Sequence, residues 1–189
     1  MMSAGFTSGR PGAQLNTFEG QGKSARVAGA RAERATADLL DALTRRGYVV
    51  FHSLPVAHGR ADIDHVLVGS RGAVLVDSKC WLPGWYLTAW SRAWRSTGPV
   101  HRFTPAESTS LARSVERMRQ GGVRVVAALV ATWPSSETGR VHARLLRYAG
   151  ADAVLPARRA VRRAARLAGR GGADPRVVAA VGRWAEANR

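Results

Sequence analysis

The sequence predicts an α/β fold, a mixed β-sheet flanked by helices. Three observations carry this reading. Two strand-like runs, 62–69 and 73–79, are joined by Gly69-Ser70-Arg71-Gly72, a hairpin signal. The run 123–132 is apolar and β-branched, as a buried strand is. Helical segments surround these strands, at 28–46, 104–120, 157–168 and 176–187.

In chain order, residues 1–25 are rich in Gly, Ser and small polar residues, have no periodicity and predict a mobile arm. The first helix, 28–46, is stopped by Gly47. Its apolar stripe is Ala32, Ala35, Leu39, Leu40 and Leu43, and its wet side carries Arg34, Asp38, Asp41 and Arg45. Residues 48–54 read as a strand, then comes the hairpin, then 85–94 as a strand with a bend. In Thr104-Pro105-Ala106-Glu107 an N-cap, a proline at the first position and a glutamate at the third open a helix that runs to Gln120. The buried strand 123–132 follows, then a short strand at 152–155 and the two last helices, the second after Asp174-Pro175. The domain reading is a basic arm over 1–25, an α/β domain over 26–156 and basic C-terminal helices over 157–189.

The whole chain narrows the function. Its 189 residues suit one domain with appendages. A single cysteine, Cys80, excludes an internal disulfide and argues for a reducing compartment. No N-terminal apolar run and no stretch of membrane-span length is present, so a soluble cytoplasmic protein is expected. The formal net charge of +16 points to a polyanionic partner, most simply nucleic acid. The chain has 27 arginines and two lysines. One of those lysines is Lys79, in Val76-Asp77-Ser78-Lys79. A lysine in so arginine-biased a chain suggests chemistry that needs a compact ammonium.

The hairpin can be aligned from its loop. A symmetric turn pairs Val68 with Ala73, Val66 with Leu75, Asp64 with Asp77 and Asp62 with Lys79, all on one face. Opposed carboxylates repel, and a cation between them relieves that. On the first helix Glu33 stands at the edge of the packed stripe, where it would point towards the hairpin face. Oxygen ligands from two strands and a helix suit a hard divalent cation such as Mg²⁺. Each position alone has a plainer reading: Asp62 as a partner of Lys79, Asp64 and Asp77 as solvent-facing acids, Glu33 as a surface residue. Together, Glu33, Asp64, Asp77 and Lys79 make a candidate catalytic set.

The pattern resembles the nuclease-related domain (NERD) family of the PD-(D/E)XK nuclease superfamily. The matching residues are Gly29-Ala30-Arg31-Ala32-Glu33, then Ala61-Asp62-Ile63-Asp64-His65-Val66-Leu67-Val68-Gly69, then Gly72-Ala73-Val74-Leu75-Val76-Asp77-Ser78-Lys79. Asp77 stands where the family often has glutamate, and Ala32-Glu33 where it often has Gly-Glu. The resemblance implies a PD-(D/E)XK nuclease-like mixed sheet and phosphodiester hydrolysis leaving a 5′-phosphate, with DNA favoured. It implies that Asp64 and Asp77 hold Mg²⁺, or Mn²⁺ in its place, with Glu33 as a third or water-mediated ligand. Lys79 would position or deprotonate the attacking water, or neutralise charge on the phosphate.

The helix over 157–170 gathers Arg158, Arg159, Arg162, Arg163, Arg166 and Arg170 on one side, with Ala160, Val161, Ala164 and Leu167 opposite. That cationic face could lie along a phosphate backbone; it also reads as a solvated face or as a contact for an acidic protein or membrane lipid. Trp81, Trp85, Trp90 and Trp94 follow Lys79 closely. They would stack on bases or, for at least two of them, fill the core. His52, His58 and His65 lack a zinc spacing with Cys80, and His65 alternates to the face opposite Asp64, as a structural residue. Two other functions fit the same residues: a catalytically inactive nuclease-fold module that binds nucleic acid, and an interaction domain for an acidic protein. A domain that cuts both strands would act as a homodimer, for which the sequence shows no interface.

Overall fold

A computed structural model describes residues 7–8, 23–56 and 62–188. Most of the arm predicted over 1–25, His58 and the side chain of Asp62 lie outside the described residues. The fold is α/β with two sheets. The larger has six strands: β1 (Thr7–Ser8), β2 (Val49–Pro55), β3 (Asp62–Val68), β4 (Ala73–Trp81), β8 (Val125–Pro134) and β10 (Ala153–Pro156), in that spatial order. Strands β2, β3 and β4 are antiparallel neighbours, whereas β8 and β10 continue the sheet in parallel to β4. The smaller sheet has β7 (Val100–Arg102), β6 (Arg92–Ser96), β5 (Gly84–Ala89) and β9 (Val141–Leu145) side by side.

Strand alternation gives the large sheet two apolar faces. On one, Val66, Val68, Leu75 and Val130 pack against α2 (Ser110–Gln120) and α4 (Pro175–Ala187). This core continues to the small sheet through Trp81, Tyr86 and Phe103, whose rings stack or meet edge-on at 4.9–5.0 Å. On the other face, Val50, Leu67, Val74, Val76 and Leu129 meet Leu40 of α1 (Lys23–Asp41) and the alanines of α3 (Ala157–Ala168). Among the described residues no helix is long and apolar enough to cross a membrane.

Four predictions differ: the helix predicted over 28–46 is α1, ending at Asp41, followed by a separate 3-10 turn, Thr44–Arg46. The helix predicted over 104–120 is a 3-10 turn, Thr104–Glu107, followed by a separate α2. Thr104 caps nothing. The Glu107 carboxylate instead accepts from the Ala93 amide and pairs with Arg102 at 2.7 Å. The strand predicted over 85–94 is a hairpin, β5–β6, turning at Trp90-Ser91 with φ of 48° and 61°. Neither residue signals a left-handed turn, so the break was not legible. The single predicted sheet is two, because β7 and β9 are short and carry little pattern of their own.

Candidate active site

The β3–β4 ladder follows the predicted register from Val68–Ala73 to His65–Val76 and ends there. Asp64 and Asp77 are therefore not a closed cross-strand pair. The strands part at this point, and the Asp64 side chain takes over the role of a ladder acceptor. The Ser78 amide donates to Asp64 Oδ2 at 2.7 Å. On β4, Asp77 and Lys79 share a face, and Lys79 Nζ donates to Asp77 Oδ1 at 2.8 Å. Asp64, Asp77 and Lys79 line one cavity of about 220 Å³, closed on the far side by Ser110, Leu111 and Ser114 of α2.

Charge is poorly balanced in this cavity. Burial, then the carboxylates of Asp77 and Glu33 against the partial relief of Lys79 and the Ser78 amide, pushes the Asp64 pKa up to about 8. Burial would lower the Lys79 pKa, but Asp77 and Asp64 outweigh it and hold the ammonium well above the ordinary lysine range. Lys79 therefore stays protonated at neutral pH. In this arrangement it is a donor and a counter-charge to Asp77. Tyr148 lies close enough for the same charges to reach its hydroxyl, which burial and Asp77 push up against the pull of Lys79.

Glu33 departs from its expected place. Successive turns of α1 bury Glu33, Thr36, Ala37 and Leu40, so the packed stripe includes Glu33. Its carboxylate accepts from Ser53 Oγ at 3.3 Å and does not line the cavity. Its charge still reaches Asp64 and helps to raise the Asp64 pKa. Among the described residues no group of three His, Cys, Asp or Glu side chains is placed to hold a metal ion. Asp64 and Asp77 line the cavity, with Glu33 outside its lining but near enough for its charge to reach Asp64. These two do fit a hard cation. Asp77 Oδ2 is buried with no hydrogen-bond partner, and an orphaned carboxylate oxygen beside a second, reluctantly ionised carboxylate suits Mg²⁺ or Mn²⁺ completed by water.

Behind the site, on the α1–α3 face, runs a hydrogen-bonded chain that the sequence did not reveal. Asp41 Oδ1 is 3.0 Å from His52 Nε2. His52 Nδ1 is 2.7 Å from His65 Nδ1, and His65 Nε2 is 3.1 Å from Ser78 Oγ. Both rings are buried. With both neutral, a single proton order satisfies every contact. Ser78 O–H donates to His65 Nε2, His65 Nδ1–H to His52 Nδ1, and His52 Nε2–H to Asp41. Burial and the neighbouring His52 keep the His65 pKa well below the usual value, in line with a neutral ring. His65 is structural, as its alternation predicted, but it ends on the residue whose amide holds Asp64. Ser110, Ser114 and Tyr148 were also missed. The two serines stand one turn apart beside the apolar residue Leu111, a weak signal; Tyr148, in a loop, gives none.

Of the four tryptophans after Lys79, Trp81 is in the core and Trp94 half-buried. Trp85 and Trp90 are 64% and 89% exposed, and Trp85 stacks on His142 with ring centres 4.4 Å apart. Arg158, Arg159, Arg162, Arg163 and Arg166 are all exposed on α3, on the face of the sheet opposite the acidic cavity.

Residues 28–122 match the family model of the nuclease-related domain, a span that takes in most of α1, the β2–β4 hairpins and α2 and hence Glu33, Asp64, Asp77 and Lys79. No curated protein and no solved structure matches the chain. The match covers half of the sequence, so the chain belongs to the nuclease-related domain family, whose general kind is the PD-(D/E)XK nuclease superfamily.

Proposed function

We propose that this protein is a metal-dependent nuclease that hydrolyses phosphodiester bonds, with DNA as the favoured substrate. The observation that carries this is the cavity in which Asp64 and Asp77 face a protonated Lys79 while Asp77 Oδ2 lacks any partner. The family match and the net charge of +16 support it. Asp64 and Asp77 would hold Mg²⁺, which when bound polarises a phosphoryl oxygen and lowers the pKa of water. The chain itself supplies the rest. The Ser78 amide fixes the Asp64 carboxylate. Asp77 Oδ1 anchors Lys79, whose remaining N–H groups are free to donate to the charge that grows on the phosphate oxygens. The α2 wall narrows the cavity and limits water.

The test is cleavage of supercoiled plasmid and single-stranded DNA with Mg²⁺, Mn²⁺ or EDTA. Cutting should require metal and vanish in Asp77→Ala. Lys79→Ala should lose about 10²-fold or more, the scale of one transition-state donor. Equal cutting by wild type and both variants would sink this site assignment. One observation favours a second reading: Glu33 is turned to Ser53 rather than the cavity. A silent nuclease-fold module would then bind DNA in a salt-sensitive, metal-insensitive way and cut nothing.

A further inference from the structure

Arg46, Arg159, Arg162, Arg163, Arg166 and Arg170 line one open groove of about 560 Å³. Leu43, Leu155 and Tyr48 form part of its floor, with Arg46 lying 5.9 Å from the centre of the Tyr48 ring. Tyr48 is fixed from beneath by its hydroxyl, which donates to the Ala165 carbonyl at 2.9 Å. Elsewhere arginines find acids: Arg31 meets Glu137, Arg102 meets Glu107 and Arg124 meets Asp174. Among the described residues the groove arginines make no ion pair with a carboxylate. Like charges brought this close repel, so the groove is built for an anion from outside the chain.

Its place in the fold is the informative part. The buried side of α3 packs on Leu67, Val74 and Val76. Asp64, Asp77 and Lys79 open on the other face of the same strands, under α2. An anion in the groove therefore lies across the sheet from the acidic cavity. The groove also lies beyond the matched family residues except for its α1-side wall and Tyr48.

The groove's chemistry selects the ligand. Successive arginines four residues apart advance about 6 Å along α3. A rigid row of guanidiniums suits a run of phosphates better than a single one. The apolar side of α3, Ala160, Val161 and Ala164, is buried in the core, so no apolar helix face is left to enter a bilayer. Tyr48 is buried and offers no ring for stacking. The groove thus offers guanidiniums for phosphates and no exposed ring for bases.

We propose that this groove is a nucleic-acid exosite, which grips the sugar–phosphate backbone of a strand on the face opposite the catalytic cavity. Calling that strand the substrate rests on the nuclease reading above; the exosite itself does not. A strand long enough to reach both faces gains affinity through effective concentration, and a short one does not.

The test compares wild type with the triple variant Arg159→Gln, Arg163→Gln, Arg166→Gln, and with the matching Arg→Lys triple, which keeps the charge. Circular dichroism checks folding. Binding to long and short labelled single-stranded DNA is measured in EDTA across a salt series, so cleavage plays no part. For long DNA the Gln triple should bind roughly tenfold or more weakly, the Lys triple should recover most of the loss, and the salt slope should flatten by about 2. Short DNA should lose less. Unchanged long-strand affinity and slope in the Gln triple would overturn the exosite. So would an equal loss on short and long DNA, which would show that a long strand does not engage both faces. Binding of polyglutamate that long DNA fails to displace would overturn it in favour of an acidic protein. Absence of cleavage by wild type, with the salt-dependent loss intact, would remove the nuclease reading and leave the exosite standing.

Discussion

At the scale of single residues, the chemistry turns on three side chains with unequal protonation. Asp77 pairs with Lys79, and Asp64 is left as the carboxyl that resists ionising. Its folded pKa, about 8, lies above the ordinary 3.8, so the folded state holds a proton that the unfolded chain releases. The sign follows from linkage. The stability this gives is full below about pH 4 and is lost as pH rises through about 8. In EDTA, wild type should therefore lose more stability than Asp64→Asn between about pH 5 and about pH 9, by a gap on the order of a few kcal/mol. Parallel denaturation curves for the two proteins at both pH values would refute the buried-carboxyl picture. Added Mg²⁺ should narrow the gap, because a cation replaces the proton. Lysine 79 was legible as a singular residue in an arginine-rich chain. What raises its pKa was not, since that depends on two carboxylates brought beside it by folding.

At the scale of elements, the β3–β4 hairpin was readable because side chains alternate and the loop is symmetric. Gly69 N–H donates to the Gly72 carbonyl at 3.1 Å, and the register holds through four residue pairs. The end of the ladder was not readable, since a carboxylate replaces a backbone acceptor there. The Asp41–His52–His65–Ser78 chain braces the same spot from behind. Ser78→Ala would leave His65 Nε2 buried without a donor, a cost of about 1–3 kcal/mol in urea denaturation. Ser78→Thr keeps a hydroxyl and should regain most of that loss. A Ser78→Ala protein as stable as wild type would show that the chain carries no weight. The same balance explains the misread helix at 104–120. Its cap signal was local and genuine, but the Ala93 amide and Arg102, held close by the small sheet, claim Glu107.

At the scale of the whole molecule, the six-stranded sheet separates two surfaces. One carries the carboxylates and Lys79, the other the arginine groove. Helix α3 is tied to the hairpin that builds the site. Arg71 N–H donates to the Ala168 carbonyl at 2.7 Å, and a Cβ on Gly69 would come within 2.5 Å of that same oxygen. Gly69→Ala should therefore cost about 1–3 kcal/mol through overpacking, measured by chemical denaturation. If the loss is below the error of that measurement, the hairpin and α3 are not in tight contact.

The sequence by itself determined what repeats at short range. It placed the strands of the hairpin and their facing residues from Val68–Ala73 to His65–Val76, the two sides of α3 and the order Glu33, Asp64, Asp77, Lys79. Those features follow from the two-residue period of a strand and the 3.6-residue period of a helix, which neighbouring residues suffice to express. Only the tertiary structure decided that Glu33 turns to Ser53, that the Ser78 amide holds Asp64, that Ser110 and Ser114 line the cavity with Tyr148 within reach of its charges, and that the arginines lie across the sheet from it. Each of these is a contact between residues far apart in the chain. No local period encodes such contacts; they are settled when the two faces of the sheet choose which helix to bury.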